Sequence, residues 1–115
     1  MSHAHYVALH RKRWALSQDE LANLLAVSQA HVSRIEDGEA AKTAKLETVL
    51  GLQVVFGRAP RTLFATQYEA VEESVMTRAA ELDVALRDKH DPESTKKKQL
   101  LIAMLKRATS SARSV

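Results

Sequence analysis

Apolar side chains along this chain recur at steps of three and four residues with almost no alternation, a pattern that predicts helices from end to end. Ser17, followed three residues later by Glu20, forms a capping-box pair, so a helix starts at about Gln18. Leu21, Leu24 and Leu25 give it an apolar stripe, and Ala22 is small enough to admit a second helix closely. Ser28 offers a fresh N-cap, Val32 and Ile35 point inward from the helix that follows, and Gly38 supplies a left-handed stop. Gln29, Ala30, Ser33 and Arg34 are left on the outer side. Around this pair the spacing predicts a first helix over about 5–14, burying Val7, Ala8 and part of Trp14. A helix opening near Thr43 is expected to bury Leu46, Val49, Leu50 and Val54 before Gly57 ends it. Gly51 inside it costs up to about 1 kcal/mol against alanine and permits close packing. Pro60 suits the first position of a fifth helix, and Leu63 and Phe64 close the core.

Beyond this domain, assigned to residues 1–66, the pattern changes to that of a two-helix appendage over 67–115. Phe64, Tyr68, Val71, Val75, Ala79, Leu82 and Leu86 form the seam of a long amphipathic helix running to about His90. Asp91-Pro92 marks an N-cap and first-turn proline. A last helix from Pro92 to about Ala108 places Leu101, Met104, Leu105 and Ala108 on one face, with Thr109 to Val115 frayed. The two seams can fold against each other as an intramolecular hairpin or join those of a second chain, and the second arrangement, a homodimer made by this appendage, is the expected one. The pairing alternative makes Tyr68, Val71, Val75, Leu82, Leu86, Leu101, Met104 and Leu105 the dimerisation residues.

The outer face of the second short helix carries chemistry suited to base edges. Glutamine bonds adenine bidentately and arginine bonds guanine the same way, each good pair worth about 1 to 3 kcal/mol of discrimination, while Ala30 offers only a methyl contact or room for the backbone. Gln29 and Arg34 are therefore the preferred specificity residues. Such a helix pair also occurs as plain scaffold.

The run Leu-Ser-Gln-x-Glu-Leu-Ala, then Val-Ser-Gln-x-x-Val-Ser-Arg-Ile-Glu-x-Gly, over Leu16 to Gly38, resembles the helix-turn-helix domain of the Cro/C1-type, or XRE, transcriptional regulators. The likeness covers about residues 5–66 and implies a five-helix, lambda-repressor-like domain whose third helix enters the major groove of double-stranded DNA as a homodimer on a two-fold operator. Position by position, it implies that Gln18 touches phosphate and braces the first residue of the recognition helix. Gln29, Ala30 and Arg34 match base-reading positions, joined by Ser33 from the same outer face, and Arg11 and Glu36 match a partly buried ion pair tying helix 1 to the end of helix 3. Backbone contacts are expected from Gln18, Ser28, His31, Arg13, Lys42, Thr43 and Lys45. Two departures stand out. Ala26 occupies a turn position where the family often has glycine, and an alanine at positive φ costs about 1 to 2 kcal/mol. Ala40-Ala41 replaces a proline often found in the loop after helix 3.

Composition narrows the classes. At 115 residues the chain has room for a DNA reader and an appendage, and for no full ligand-sensing domain. Without cysteine there is no disulfide, thiolate zinc site or cysteine nucleophile. His3, His5 and His10 lack neighbouring carboxylates or thiols, so no metal and no cofactor is expected. Ser28, His31 and Ser33 have no third residue to orient the histidine, and no phosphate-binding glycine loop occurs, so no enzyme is expected. No signal peptide or membrane span is recognisable, which makes the cytoplasm the expected location.

The net charge of +3 divides unevenly: +2 over 1–66, −4 over 67–91 and +5 over 92–115. Phosphate repels the acidic middle and attracts both ends. The rival to a DNA-binding regulator is an antitoxin-like or adaptor module that docks a protein partner through the C-terminal helices, with DNA binding secondary.

Overall fold

The computed structural model describes residues 5–38 and 44–113, with side chains over 6–38 and 44–110, and every regular element among them is an α-helix. These are α1 (His5–Arg13), α2 (Gln18–Leu25), α3 (Gln29–Glu36), α4 (Leu46–Phe56), α5 (Pro60–Leu63), α6 (Ala65–Leu86) and α7 (Pro92–Arg113). The chain divides into two units, Met1–Glu69 and Ala70–Val115, with the division inside α6.

In the first unit each helix start has a local cause. Ser17 Oγ accepts from the Glu20 N–H at 3.0 Å while Glu20 Oε1 accepts from the Ser17 N–H at 2.9 Å. Ser28 Oγ accepts from the His31 N–H at 3.1 Å, and Pro60 opens α5. Helix ends are closed by left-handed residues: Ala15 at φ 59°, Ala26 at φ 57°, Gly38 at φ 86° and Gly57 at φ 65°. At Ala26 the backbone turns sharply enough for its N–H to reach the carbonyls of Ala22 and Asn23, which brings α3 back across α2. α1 packs on α3 and α5, and α4 on α2 and α5.

Val7 of α1, Leu21 and Ala22 of α2, and Val32 and Ile35 of α3 meet Leu52 and Phe56 of α4, with Leu63 and Phe64 beneath them. Each large side chain taken out of water here contributes about 1.5 to 3 kcal/mol. The buried face of α4 differs from the expected one except at Val49, which packs half-buried against the core: Thr48, Leu52 and Phe56 point inward, whereas Leu46 and Leu50 are exposed and Val54 is 83% exposed. The sequence LETVLGLQVVF is apolar almost all round, so periodicity gives no preferred face. Gly51 helps set it, because a Cβ there would lie 2.9 Å from Leu25 Cδ2, a close approach of α2 and α4. Leu24 is likewise exposed, leaving Leu21, Ala22 and Leu25 to face the core. Trp14, expected to be partly covered, is 67% exposed beyond the end of α1.

In the second unit, Asp91 caps α7: its carboxylate accepts from the Ser94 N–H at 3.0 Å and from the Ser94 hydroxyl at 2.7 Å. Those bonds hold the Asp91 carboxyl below its ordinary value. Lys98 Nζ donates to the Lys89 carbonyl across the turn. α7 continues to Arg113 rather than fraying at Thr109, whose hydroxyl donates to the Leu105 carbonyl at 2.8 Å. Leu86, Ser94 and Leu101 are buried, but Val71, Val75, Leu82 and Leu105 are exposed. Leu86 and Leu101, assigned from sequence to dimerisation, are already turned inward and have little surface for a second chain. Met104 is half-buried. Tyr68 falls in the first unit, where the Arg61 guanidinium sits 4.9 Å over its ring.

Candidate nucleic-acid interface

A chain of polar contacts starts inside the first unit and ends at the outer tip of α3. Arg11 and Glu36 form a bidentate pair, with Nε to Oε2 at 2.6 Å and Nη2 to Oε1 at 3.0 Å, and side chains 11% and 6% exposed. Arg11 Nη1 also donates to the Leu16 carbonyl at 2.8 Å, tying α1 to the start of α2. Gln18 Nε2 donates to Glu36 Oε1 at 2.9 Å, and Gln29 Nε2 donates to Gln18 Oε1 at 2.5 Å. Burial opposes ionisation of Glu36, but the hydrogen bonds from Arg11 and Gln18 and the charges of Arg11 and Lys12 outweigh it and hold the carboxyl below its ordinary value.

This chain has a direction. An ionised Glu36 only accepts, so Gln18 must turn its NH2 inward and its carbonyl oxygen outward, and Gln29 must then donate to that oxygen. Gln29 is left with its own carbonyl oxygen and a second N–H, an acceptor beside a donor, at the exposed first residue of α3. That couple complements the N6–H donor and N7 acceptor of adenine in the major groove. Ala30 and Arg34, one turn apart, are both exposed, while Ser33 and His31 are half-buried. Ser28 spends its hydroxyl on the cap of α3, and Lys45 is exposed just before α4. Lys42 and Thr43 lie outside the described residues.

Arg13 is exposed but belongs to a different neighbourhood from Arg11, two residues earlier and thus about 200° around α1. Its charge, like that of Arg58, is close enough to act on His10. His10, not expected to hold a metal, is buried with its ring 5.8 Å from that of Phe56. Desolvation, reinforced by the Arg13 and Arg58 charges, pushes its pKa down, which favours the neutral imidazole. The i, i+3 spacing of Val7 and His10 was the available signal for this inward position.

Among the described residues no cluster of three or more His, Asp or Glu side chains is placed to hold a metal ion. No described helix is long and apolar enough to cross a membrane. No family model matches the chain, and neither a curated protein nor a solved structure matches it.

Proposed function

We propose that this chain is a sequence-specific double-stranded DNA-binding regulator of transcription, whose α3 reads base edges in the major groove. In this reading it is a homodimer on a two-fold operator and performs no chemistry. One observation carries the reading: the Arg11–Glu36–Gln18–Gln29 chain, which orients a donor-acceptor pair at the exposed start of a short helix that also presents Ala30 and Arg34. The motif from Leu16 to Gly38, with its likeness to the Cro/C1-type domain, supports it independently of that geometry. The ion pair is the anchor and Gln18 the brace. Gln29 and Arg34 discriminate bases, while Gln18 and Lys45 hold phosphate. If both readers lie on one face of the duplex, half-site centres are about 34 Å apart or a multiple of that.

The test is selection from a random duplex library at near-physiological salt, repeated with Gln29→Ala and Arg34→Ala. Wild type is expected to enrich a two-fold site. Each variant should relax preference at its own base position by about 1 to 3 kcal/mol while staying folded. A folded wild type that enriches nothing overturns the proposal. The exposed apolar side chains of α6 and α7 favour the adaptor alternative in that case, with the C-terminal unit as the docking surface.

A further inference from the structure

The second unit is an incomplete core. Within Ala70–Val115 only Leu86, Ser94 and Leu101 are buried among the described residues, while Val71, Val75, Leu82, Val84, Leu100, Ile102 and Leu105 stay in water. Between α6 and α7 lies a groove of about 400 Å³, lined by Met76, Ala79 and Asp83 on one side and Ile102 and Leu105 on the other. Two helices alone cannot enclose a core of this composition. Units this small ordinarily close theirs by oligomerisation when no disulfide or metal does so, and the chain has no cysteine.

The charges say what the groove fits. α6 carries Glu69, Glu72, Glu73, Glu81 and Asp83 against a single Arg78, and α7 carries Lys96, Lys97, Lys98, Lys106, Arg107 and Arg113 against a single Glu93. Asp83 is the one charged side chain lining the groove among the described residues. Its occupant must therefore bring a cation beside apolar side chains on one helical face. α7 itself has that form, with the exposed Ile102 and Lys106 four residues apart. A helix bearing the same acidic charge as α6 would be repelled.

We infer that the groove is filled by a second copy of this chain, α7 of each copy lying against α6 of the other in a two-fold four-helix bundle, with Asp83 of each facing Lys106 of the other. This rests on the homodimer reading above and names the surface that serves it. The arrangement is reciprocal, so one contact made twice covers both open faces. Apolar burial supplies the association; the charge pattern selects the cross-pairing of α6 with α7 over the pairing of like helices.

Sedimentation equilibrium on the full chain without DNA tests this, with circular dichroism as the check on folding. Wild type is expected to dimerise, and Leu105→Asp to weaken the dimer about tenfold or more, because it buries an unpaired carboxylate. Asp83→Lys and Lys106→Asp should each weaken self-association about tenfold, since each disrupts two equivalent pairs. An equimolar mixture of these two variants should regain wild-type affinity as a heterodimer, while the double variant pairs with itself and rejects wild type. A wild type that stays monomeric, a dimer indifferent to Leu105→Asp, or a double variant that prefers wild type as its partner overturns the inference. The DNA reading fails separately: a dimer that enriches no duplex sinks that reading alone, and a monomer that enriches a site sinks only this one.

Discussion

Glu36 is where fold and candidate interface meet, so its removal has a calculable cost. Glu36→Ala leaves the Arg11 guanidinium, whose side chain is 11% exposed, with the Leu16 carbonyl as its remaining acceptor among the contacts described above. Breaking a buried pair from one side costs about 3 to 5 kcal/mol, and the nearness of Arg11 to solvent argues for about 3. A unit the size of Met1–Glu69 has about 3 to 10 kcal/mol in total, so the variant is expected to be close to unfolding at room temperature. Far-UV circular dichroism during urea unfolding reads this cost as a shift of the unfolding midpoint. The double variant Arg11→Met/Glu36→Met replaces the pair by apolar groups of similar length, and should recover to within about 1 kcal/mol of wild type. If Glu36→Ala alone costs less than about 1 kcal/mol, the pair behaves as a solvated surface bridge and the anchoring argument fails. The pair also has a pH signature. Because the Glu36 carboxyl sits below its ordinary value of 4.5, its contribution is complete above pH 4.5 and is lost as pH falls through the lowered value.

Two further outcomes follow from the first unit. His10 is depressed from 6.5, so the unfolded chain binds its proton first; stability is complete above pH 6.5 and falls as pH drops below it, and His10→Leu should flatten that limb while leaving the one below pH 4.5 in place. An unchanged profile in His10→Leu would mean the imidazole is solvated when folded. Ala15 and Ala26 both hold left-handed backbone, and Ala26→Gly is expected to stabilise by about 0.5 to 1 kcal/mol, raising the melting temperature by about 2 to 6 °C, with Ala15→Gly acting in the same direction. A loss of stability in both would show that neither turn is strained.

The sequence by itself determined what depends on near neighbours. Ser17 with Glu20, Ser28, Pro60 and Asp91 placed helix starts because a cap needs partners only three residues away. Gly38 and Gly57 placed ends because left-handed backbone is a single-residue property. The inward positions Leu21, Val32 and Ile35 were legible because polar residues separate them at helical spacing. Ala15 escaped notice because nothing about an alanine announces a positive φ; the turn after α1 requires it. Tertiary structure alone decided which face of α4 is inside, since a helix apolar all round has no moment to read and the approach of Leu25 to Gly51 makes the choice. It also decided that the ring packed beside His10 is that of Phe56, that Trp14 is not covered, and that Leu86 and Leu101 are taken up inside their own unit. The direction of the Arg11 to Gln29 chain belongs to the same class. Four residues spread over three helices acquire an order only when the fold brings an acceptor-only carboxylate to one end of it.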